Sequence, residues 1–228
     1  MIHSRKVTAL VPMKAHSERV KNKNIRLFCG KPLYHHIVHT LDRTYAVDEI
    51  CINTDSDVIA EEAVTLSRKV QIHRRPEELC GDFVSMNRII EYDVAHRQTD
   101  IVLQTHSTNP LLRSETIAKA LKAFVEDEEH DSLFSVNLYQ SRFYDSQGQA
   151  VNHNPDELLR TQDLPPMYEE NSCIYVFTKE SFEQKGRRIG ERPRLFPTPW
   201  VESTDIDNEY TFRLAELLAG YAAHMETE

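Results

Sequence analysis

Two groups of side chains in this 228-residue chain could do chemistry, and they lie near its two ends. PMKAHSERVKNKNIR (residues 12–26) carries Lys14, Arg19, Lys21, Lys23 and Arg26, with Ser17 and Asn24 between them as neutral donors. The chain as a whole has a formal net charge of −9. A local basic run in an acidic chain suits a small anion, whereas nucleic acid calls for a basic footprint over a whole domain. Neither GxxxxGK[ST] nor GxGxxG occurs, and there are only six glycines. Phosphate would therefore be held by side chains, with Lys14, Arg19 and Lys23 as the cations. A solvated charged loop is the alternative reading. At the other end, ESTDIDNEY (202–210) sets Asp205 and Asp207 at D-x-D spacing. In extended chain both point to one side. Two such carboxylates suit Mg²⁺, which takes oxygen ligands and keeps waters beside phosphate oxygens. The competing reading is that Asp207 or Asn208 caps the following helix.

The elements that must position these groups alternate between short β-branched runs and helical patterns. VTALV (7–11), EICIN (49–53), VQIH (70–73), DIVLQ (100–104), DSLFSV (131–136) and CIYVF (173–177) read as strands. DIVLQ has the unbroken apolar run of a central parallel strand. Between them, Pro32 opens a helix with Leu33, Ile37, Val38 and Leu41 on one face. Asp57 to Lys69 forms a second, with Ile59, Ala63 and Leu66 inward. Ser85 caps a third that buries Met86, Ile89, Ile90 and Val94, and Ser114 caps a fourth with Ile117, Ala120, Leu121 and Phe124. Tyr210, Leu214, Leu217, Leu218 and Tyr221 stripe the last helix. This alternation predicts a single α/β domain over 1–228, a three-layer α/β/α arrangement around a mostly parallel sheet. Residues 138–171, polar and carrying Pro155, Pro165 and Pro166, break the rhythm and read as an inserted lid or dimerisation arm. In open α/β sheets ligands bind beyond the carboxyl ends of the strands. The basic run follows the first strand, in a connection of about twenty residues where ~2–6 suffice.

Cys29, Cys51, Cys80 and Cys173 are scattered without a CxxC pair, which predicts buried free thiols in a reducing compartment. Cys29, in FCGKP, has no recognisable base beside it and is not expected to act as a nucleophile. With no apolar leader pattern and no run approaching ~18 apolar residues, a cytoplasmic protein with no membrane or nucleic-acid partner is expected.

Taken in order, these segments resemble the acylneuraminate cytidylyltransferases, the CMP-sialic acid synthetases and their CMP-KDO relatives. The first signature, P-x-[RK]-x-x-S-x-R-x-x-x-K-N-I then G-K-P-L, is met by Pro12, Lys14, Ser17, Arg19, Lys23, Asn24, Ile25 and Gly30–Leu33. INTDSDVIAEEA (52–63), RPEELCGDFVS (75–85), DIVLQ with NPLLRSETI, RTQDLPPMYEENSCIYVF (160–177) and ESTDIDNEYTFRLAE (202–216) follow in register. Six motifs in order are far more specific than any one of them.

The resemblance implies a Rossmann-like sheet of the nucleotide-diphospho-sugar transferase type and transfer of CMP from CTP to an acidic sugar, with Mg²⁺ as cofactor and a homodimer as the assembly. It implies that Pro12, Lys14, Ser17, Arg19, Lys23 and Asn24 wrap the triphosphate, and that Asp205 and Asp207 hold the metal. Arg75, Asp82 and Ser85 would enclose cytosine and ribose, with an Arg75–Asp82 ion pair as the plain structural alternative. Gln104, His106 and Asn109 would meet the acceptor, although Asn109-Pro110 is also a turn signal. Arg160, Gln162 and Asn171 would serve the dimer interface and the acceptor's carboxylate, the alternative being an arginine that bonds loop carbonyls.

Departures are visible. Lys14 replaces the usual arginine and loses its bidentate fork. Ala15 and His16 replace glycines, Glu18 a basic residue, Met86 a serine and Ser172-Cys173 a Gly-Ala pair. QTHSTNPLLR is about three residues longer than its counterpart, so acceptor identity, even a phosphonate, stays open. Two rival functions remain: a glycosyltransferase using the D-x-D, and an inactive nucleotide-binding relative.

Overall fold

The computed structural model describes all residues except Met1, His3, Glu18, Asp82 and 226–228. Among the described residues nine strands occur in chain order: β1 (Val7–Met13), β2 (Leu27–Phe28), β3 (Lys31–Pro32), β4 (Glu49–Thr54), β5 (Val70–Arg74), β6 (Ile101–Gln104), β7 (Ser132–Tyr139), β8 (Met167–Thr178) and β9 (Pro193–Pro197). The helices are α1 (Leu33–Arg43), α2 (Asp57–Ala63), α3 (Met86–Ala95), α4 (Ser114–Val125), α5 (Lys179–Lys185) and α6 (Glu209–Met225). Seven strands form one sheet in the order β5-β4-β1-β6-β8-β7-β9, and β2 and β3 form a separate hairpin.

The sheet is mostly parallel. β5, β4, β1 and β6 run together, β7 runs with β9, and β8 is antiparallel to both β6 and β7. Ile101–Gln104 of DIVLQ is thus fully buried but parallel on one side only, while Asp100 is exposed at its start. Alternation along β1 divides the core. Ala9 and Val11 pack with Ile37, Leu41, Ile59, Ile117 and Leu121 of α1, α2 and α4, while Leu10 packs with Ile90, Val94 and Phe182 of α3 and α5. Three layers follow from period-two strands that offer apolar side chains to both faces.

The structure corrects several local expectations. α2 stops at Ala63 because the Thr65 and Leu66 amides turn back three residues, to Glu62 and Ala63, and the Thr65 hydroxyl also bonds the Glu62 carbonyl. Ser114 is the first helical residue rather than the cap; the carboxylate of Glu202 receives the Arg113 amide there at 3.0 Å. Ser85 occupies the cap position of α3 as expected, but without a side-chain capping bond. On α6 most of the apolar stripe lies outward: Tyr210, Leu214, Leu217 and Tyr221 are exposed and Leu218 is half-buried, while Phe212 and Ala215 are buried. Both faces of that helix are apolar, and the small and aromatic one fits the space left by the amino-terminal loop. The insertion is narrower than its pattern suggests, since β7 and β8 pair out to Tyr139 and Met167. Only 140–166 leaves the ladder. Cys29 is exposed at a turn, whereas Cys51 and Cys173 are buried; all four thiols are free. Among the described residues no helix is long and apolar enough to cross a membrane.

Candidate active site

The long basic connection is a folded loop. Val20 and Phe28 are buried against Leu33, Ile206, Phe212 and Ala215, so the two ends of the sequence share one small core. Arg26 reinforces that union, pairing with Glu209 and lying over the Phe212 ring at 4.1 Å. At its start the loop is pinned by the Ala15 amide, which donates to Asp55 at 2.6 Å. Asn24 crosses it: its amide donates to the Lys14 carbonyl at 2.8 Å, and its oxygen accepts from Ser107 at 2.6 Å. Asn24 therefore shapes the loop, a role its resemblance to a phosphate contact did not announce.

This loop and the segment after β6 enclose a cleft of about 370 Å³, lined in part by Lys14, Ser17, Arg19, Lys23, His106 and Thr108, with Pro12 and Asn24 at its wall. The carboxyl-terminal carboxylates meet it here. The Ile206 amide donates to the Thr108 carbonyl at 2.9 Å, and Lys23 Nζ donates to the Ile206 carbonyl at 2.8 Å. Ile206 itself is buried, which turns Asp205 and Asp207 to the opposite side, as D-x-D spacing in extended chain requires. Arg19 Nη2 lies 2.9 Å from Asp207 Oδ1. Asn208 is the helix cap, its side chain accepting from the Thr211 amide at 3.0 Å, so the Asp207 carboxylate is not consumed in capping.

The electrostatics suit a polyanion and a cation arriving together. Burial lowers the pKa of Lys23, opposed by the charges of Asp205 and Asp207. Burial raises that of Asp205, against the hydrogen bond from Thr108 and with the charge of Asp207 adding to the rise. Asp205 Oδ1 is buried without a hydrogen-bond partner. An orphaned carboxylate oxygen beside a second carboxylate is a donor set that fits a hard divalent cation.

Beyond Met86, which borders both, a second cleft of about 420 Å³ is lined by Ser85, Asn87, Glu170, Arg187, Arg188 and Ile189. Gln104, buried at the end of β6, links the two. Its oxygen accepts from Arg188 Nη1 at 2.7 Å, and its amide lies 2.9 Å from His106 Nε2. Burial, then the charges of Arg188 and Lys23, push the His106 pKa down to about 4. The ring is neutral at physiological pH, accepting at Nε2 and carrying its proton on Nδ1.

Arg75 is buried behind the first cleft. It donates to the Asn53 side chain at 2.6 Å and to the carbonyls of Asn53 and Met13 at 3.0 and 3.4 Å. Asn53 in turn donates to Asp93 at 2.7 Å, and His73 Nδ1 lies 2.7 Å from the same oxygen. Arg75 thus ties together the ends of β1 and β4; Asp82, its expected partner, lies outside the described residues, as does Glu18. Asn109 is buried in the turn before Pro110, away from the lining of either cleft, with neither side-chain polar atom paired.

Three residues of the insertion motif do not reach the clefts within one protomer. Arg160 is exposed and paired with Asp163 at 2.7 Å, and Gln162 is exposed. Asn171 is buried, bonded to Ser135, Asn137 and Thr198. Its neighbour Ser172 holds φ 61°, where the β7–β8 ladder slips register; the family's glycine suits that left-handed backbone. Sequence reasoning missed Arg188, Tyr175 and Glu170. A paired arginine directly after Gly186 was the available signal, but nothing local tied it to Gln104, 84 residues away.

A mostly parallel sheet with a cation-lined cleft beyond its strand ends, with two carboxylates beside it, is an α/β fold whose site suits a nucleotide's phosphates. Residues 8–219 match the family model described as Cytidylyltransferase, and the chain belongs to that family. It is 30% identical over 226 residues to CMP-N,N'-diacetyllegionaminic acid synthase of Legionella pneumophila, covering 93% of this chain and 96% of that one. It is 27% identical over 221 residues to N-acylneuraminate cytidylyltransferase A of Danio rerio, covering 93% of this chain but 50% of the relative, and so spans about half of that protein. A solved CMP:2-keto-3-deoxy-manno-octonic acid synthetase complexed with CTP superposes with TM-score 0.69 over 95% of this chain and 99% of the other; at 14% identity this is a likeness of fold. Membership of the cytidylyltransferase family sets the glycosyltransferase reading aside.

Proposed function

We propose that this protein transfers CMP from CTP to the anomeric hydroxyl of a nonulosonic, sialic-type acid and releases pyrophosphate. One observation carries the reading: Lys23 and Arg19, which line the cleft from one end of the chain, lie beside Asp205 and Asp207 from the other. The relatives that support the acceptor class act, by their names, on N-acylneuraminic and diacetyllegionaminic acids.

In this reading Lys14, Arg19 and Lys23 hold the triphosphate and offset the charge that grows on departing pyrophosphate as the acceptor oxygen bonds the α-phosphorus. Asp205 and Asp207 would hold Mg²⁺, which supplies Lewis-acid polarisation of the α-phosphate when bound. Exchanging the exposed Arg19–Asp207 pair for ligand is cheap, because such pairs contribute only ~0–1 kcal/mol. Ser85, at the edge of the second cleft next to Met86, and the Arg75-braced strand ends behind the first would flank the nucleoside. Neutral His106, set by Gln104, borders the reaction centre, where positioning rather than covalent chemistry is the protein's task.

The protein is further proposed to work as a homodimer through the 138–171 arm. Leu158 and Leu159, Tyr144, Val151 and Tyr168 are exposed there, an apolar surface that a second copy would cover. Arg160 and Gln162 would then serve the interface rather than the protomer's own cleft.

The deciding experiment is a pyrophosphate-release screen of CTP, UTP, ATP and GTP against sialic, legionaminic, pseudaminic and KDO-type acids with Mg²⁺. CTP-specific release with at least one of these acids is expected. Release with another nucleotide, or binding of CTP without turnover on any acid, would refute the proposal.

A further inference from the structure

Resting on that reading, we propose that Arg188 holds the acceptor's carboxylate and so sets which acids this enzyme activates. Arg188 follows Gly186, the left-handed residue that ends α5, and its guanidinium is held from three directions. Nη1 donates to Gln104 at 2.7 Å, Nη2 donates to the Tyr175 hydroxyl at 2.9 Å, and the plane lies over the Tyr175 ring at 3.6 Å. Gln104 and Tyr175 face each other across the β6–β8 pairing, so rigid sheet supports the cation. Little side-chain freedom is left to lose on binding, the condition under which an arginine recognises a carboxylate best.

The guanidinium has capacity to spare. It offers five donors, and its third contact, to the exposed Glu170, is 3.5 Å long, near the limit of a hydrogen bond. Glu170 also accepts from the Tyr175 hydroxyl, and a planar carboxylate could take its place with two parallel bonds to the guanidinium. Arg187 stands exposed beside it, so the cleft carries two arginines against one glutamate.

Placement decides the ligand group. Arg188 bonds Gln104, whose amide lies 2.9 Å from His106 Nε2, and His106 lines the phosphate cleft, so Arg188 stands one side chain away from that cleft. In a nonulosonic acid the anomeric carbon bears both the reacting hydroxyl and the carboxylate. A carboxylate on Arg188 would therefore bring that hydroxyl to the edge of the triphosphate site. Within one protomer Arg160, which motif resemblance favoured for this task, is exposed and paired with Asp163, outside the cleft that holds Arg188.

The test pairs a change in the protein with a change in the ligand. Arg188→Met and Arg188→Lys are compared with the parent, each loaded with a non-hydrolysable CTP analogue, for binding of N-acetylneuraminate and its C1 carboxamide; if the screen selects another acid, that acid and its carboxamide are used. The parent should prefer the acid, and Arg188→Met should weaken the acid by about 10²-fold while leaving the carboxamide and the nucleotide within about threefold. Arg188→Lys should recover part of the preference, as a point charge without the fork. Equal loss for acid and carboxamide would make Arg188 a structural clamp between Gln104 and Tyr175 and overturn the proposal, as would an acid preference that survives Arg188→Met. If the parent fails to bind CTP, the proposed function itself falls; normal CTP binding with no Arg188-dependent acid preference defeats this inference alone.

Discussion

Replacing Asp205 with asparagine should separate what the site contributes to catalysis from what it costs in stability. Asp205 is pushed toward its neutral form by burial, and Lys23, its nearest cation, is likewise pushed toward neutrality by burial. Attraction between them therefore does not repay their desolvation. Asparagine keeps the shape and can keep the Thr108 hydrogen bond, while Lys23 retains the Ile206 carbonyl at 2.8 Å and the charge of Asp207. Relief of an active-site strain of this kind is commonly about 1 kcal/mol, which for a chain of this size is ~2–4 °C in melting temperature. The pH dependence has a definite sign. A carboxyl group whose folded pKa is raised destabilises the fold when ionised, above that pKa, and the cost vanishes as pH falls to the unfolded value. The Asp205→Asn advantage, read by differential scanning fluorimetry without nucleotide or Mg²⁺, should be greatest at neutral pH and shrink on acidification. Magnesium-dependent pyrophosphate release should meanwhile fall by about 10²-fold or more. A variant that melts lower than the parent at neutral pH, or a gap that widens toward acid, would refute the reasoning.

Other perturbations test other parts of the structure. Asp207→Ala should abolish metal-dependent turnover and leave the far-ultraviolet dichroism unchanged; normal activity would remove the metal assignment. Asp93→Ala strands the Asn53 amide and His73 in the interior and loosens Arg75. It should cost about 3 kcal/mol, a fall of ~6–12 °C in melting temperature, with CTP affinity reduced as well. Cys29 and Gly30 form the two-residue turn between β2 and β3 at φ 46° and 85°. Cys29→Asn should therefore stabilise by about 0.5–1 kcal/mol in denaturant titration with turnover intact; a loss of turnover would revive the nucleophile reading of that thiol. Leu158→Glu, at an exposed apolar residue of the arm, should convert a dimer to a monomer by sedimentation velocity, and an unchanged mass would place the interface elsewhere.

Local patterns carried a large part of this molecule. Strands β1 and β4–β8, the inward faces of α1, α3 and α4, the basic loop and the D-x-D pair were readable from residue types and spacing, since alternation and helical periodicity are properties of adjacent residues; the short β2–β3 hairpin and the edge strand β9, whose ends are prolines, were not. Lys14, Arg19, Lys23, Asp205, Asp207, Gln104 and His106 do converge on one region. Elsewhere the side-chain partners came from far along the chain and were invisible locally. α6 has two apolar faces, and only the pocket made by Val20, Phe28 and Leu33 selects Phe212 and Ala215 over Tyr210 and Leu217. The amino end of α4 is met by Glu202 rather than by Ser114. Asn24 and Arg75, polar groups that resembled ligand contacts, brace the backbone because folding buries them beside unpaired carbonyls. Arg188 reaches the site only because β8 runs antiparallel to β6 and stacks Tyr175 beside Gln104. Composition and periodicity specify which elements form. Which polar groups bind ligand and which hold the fold is settled when burial obliges each to find a partner.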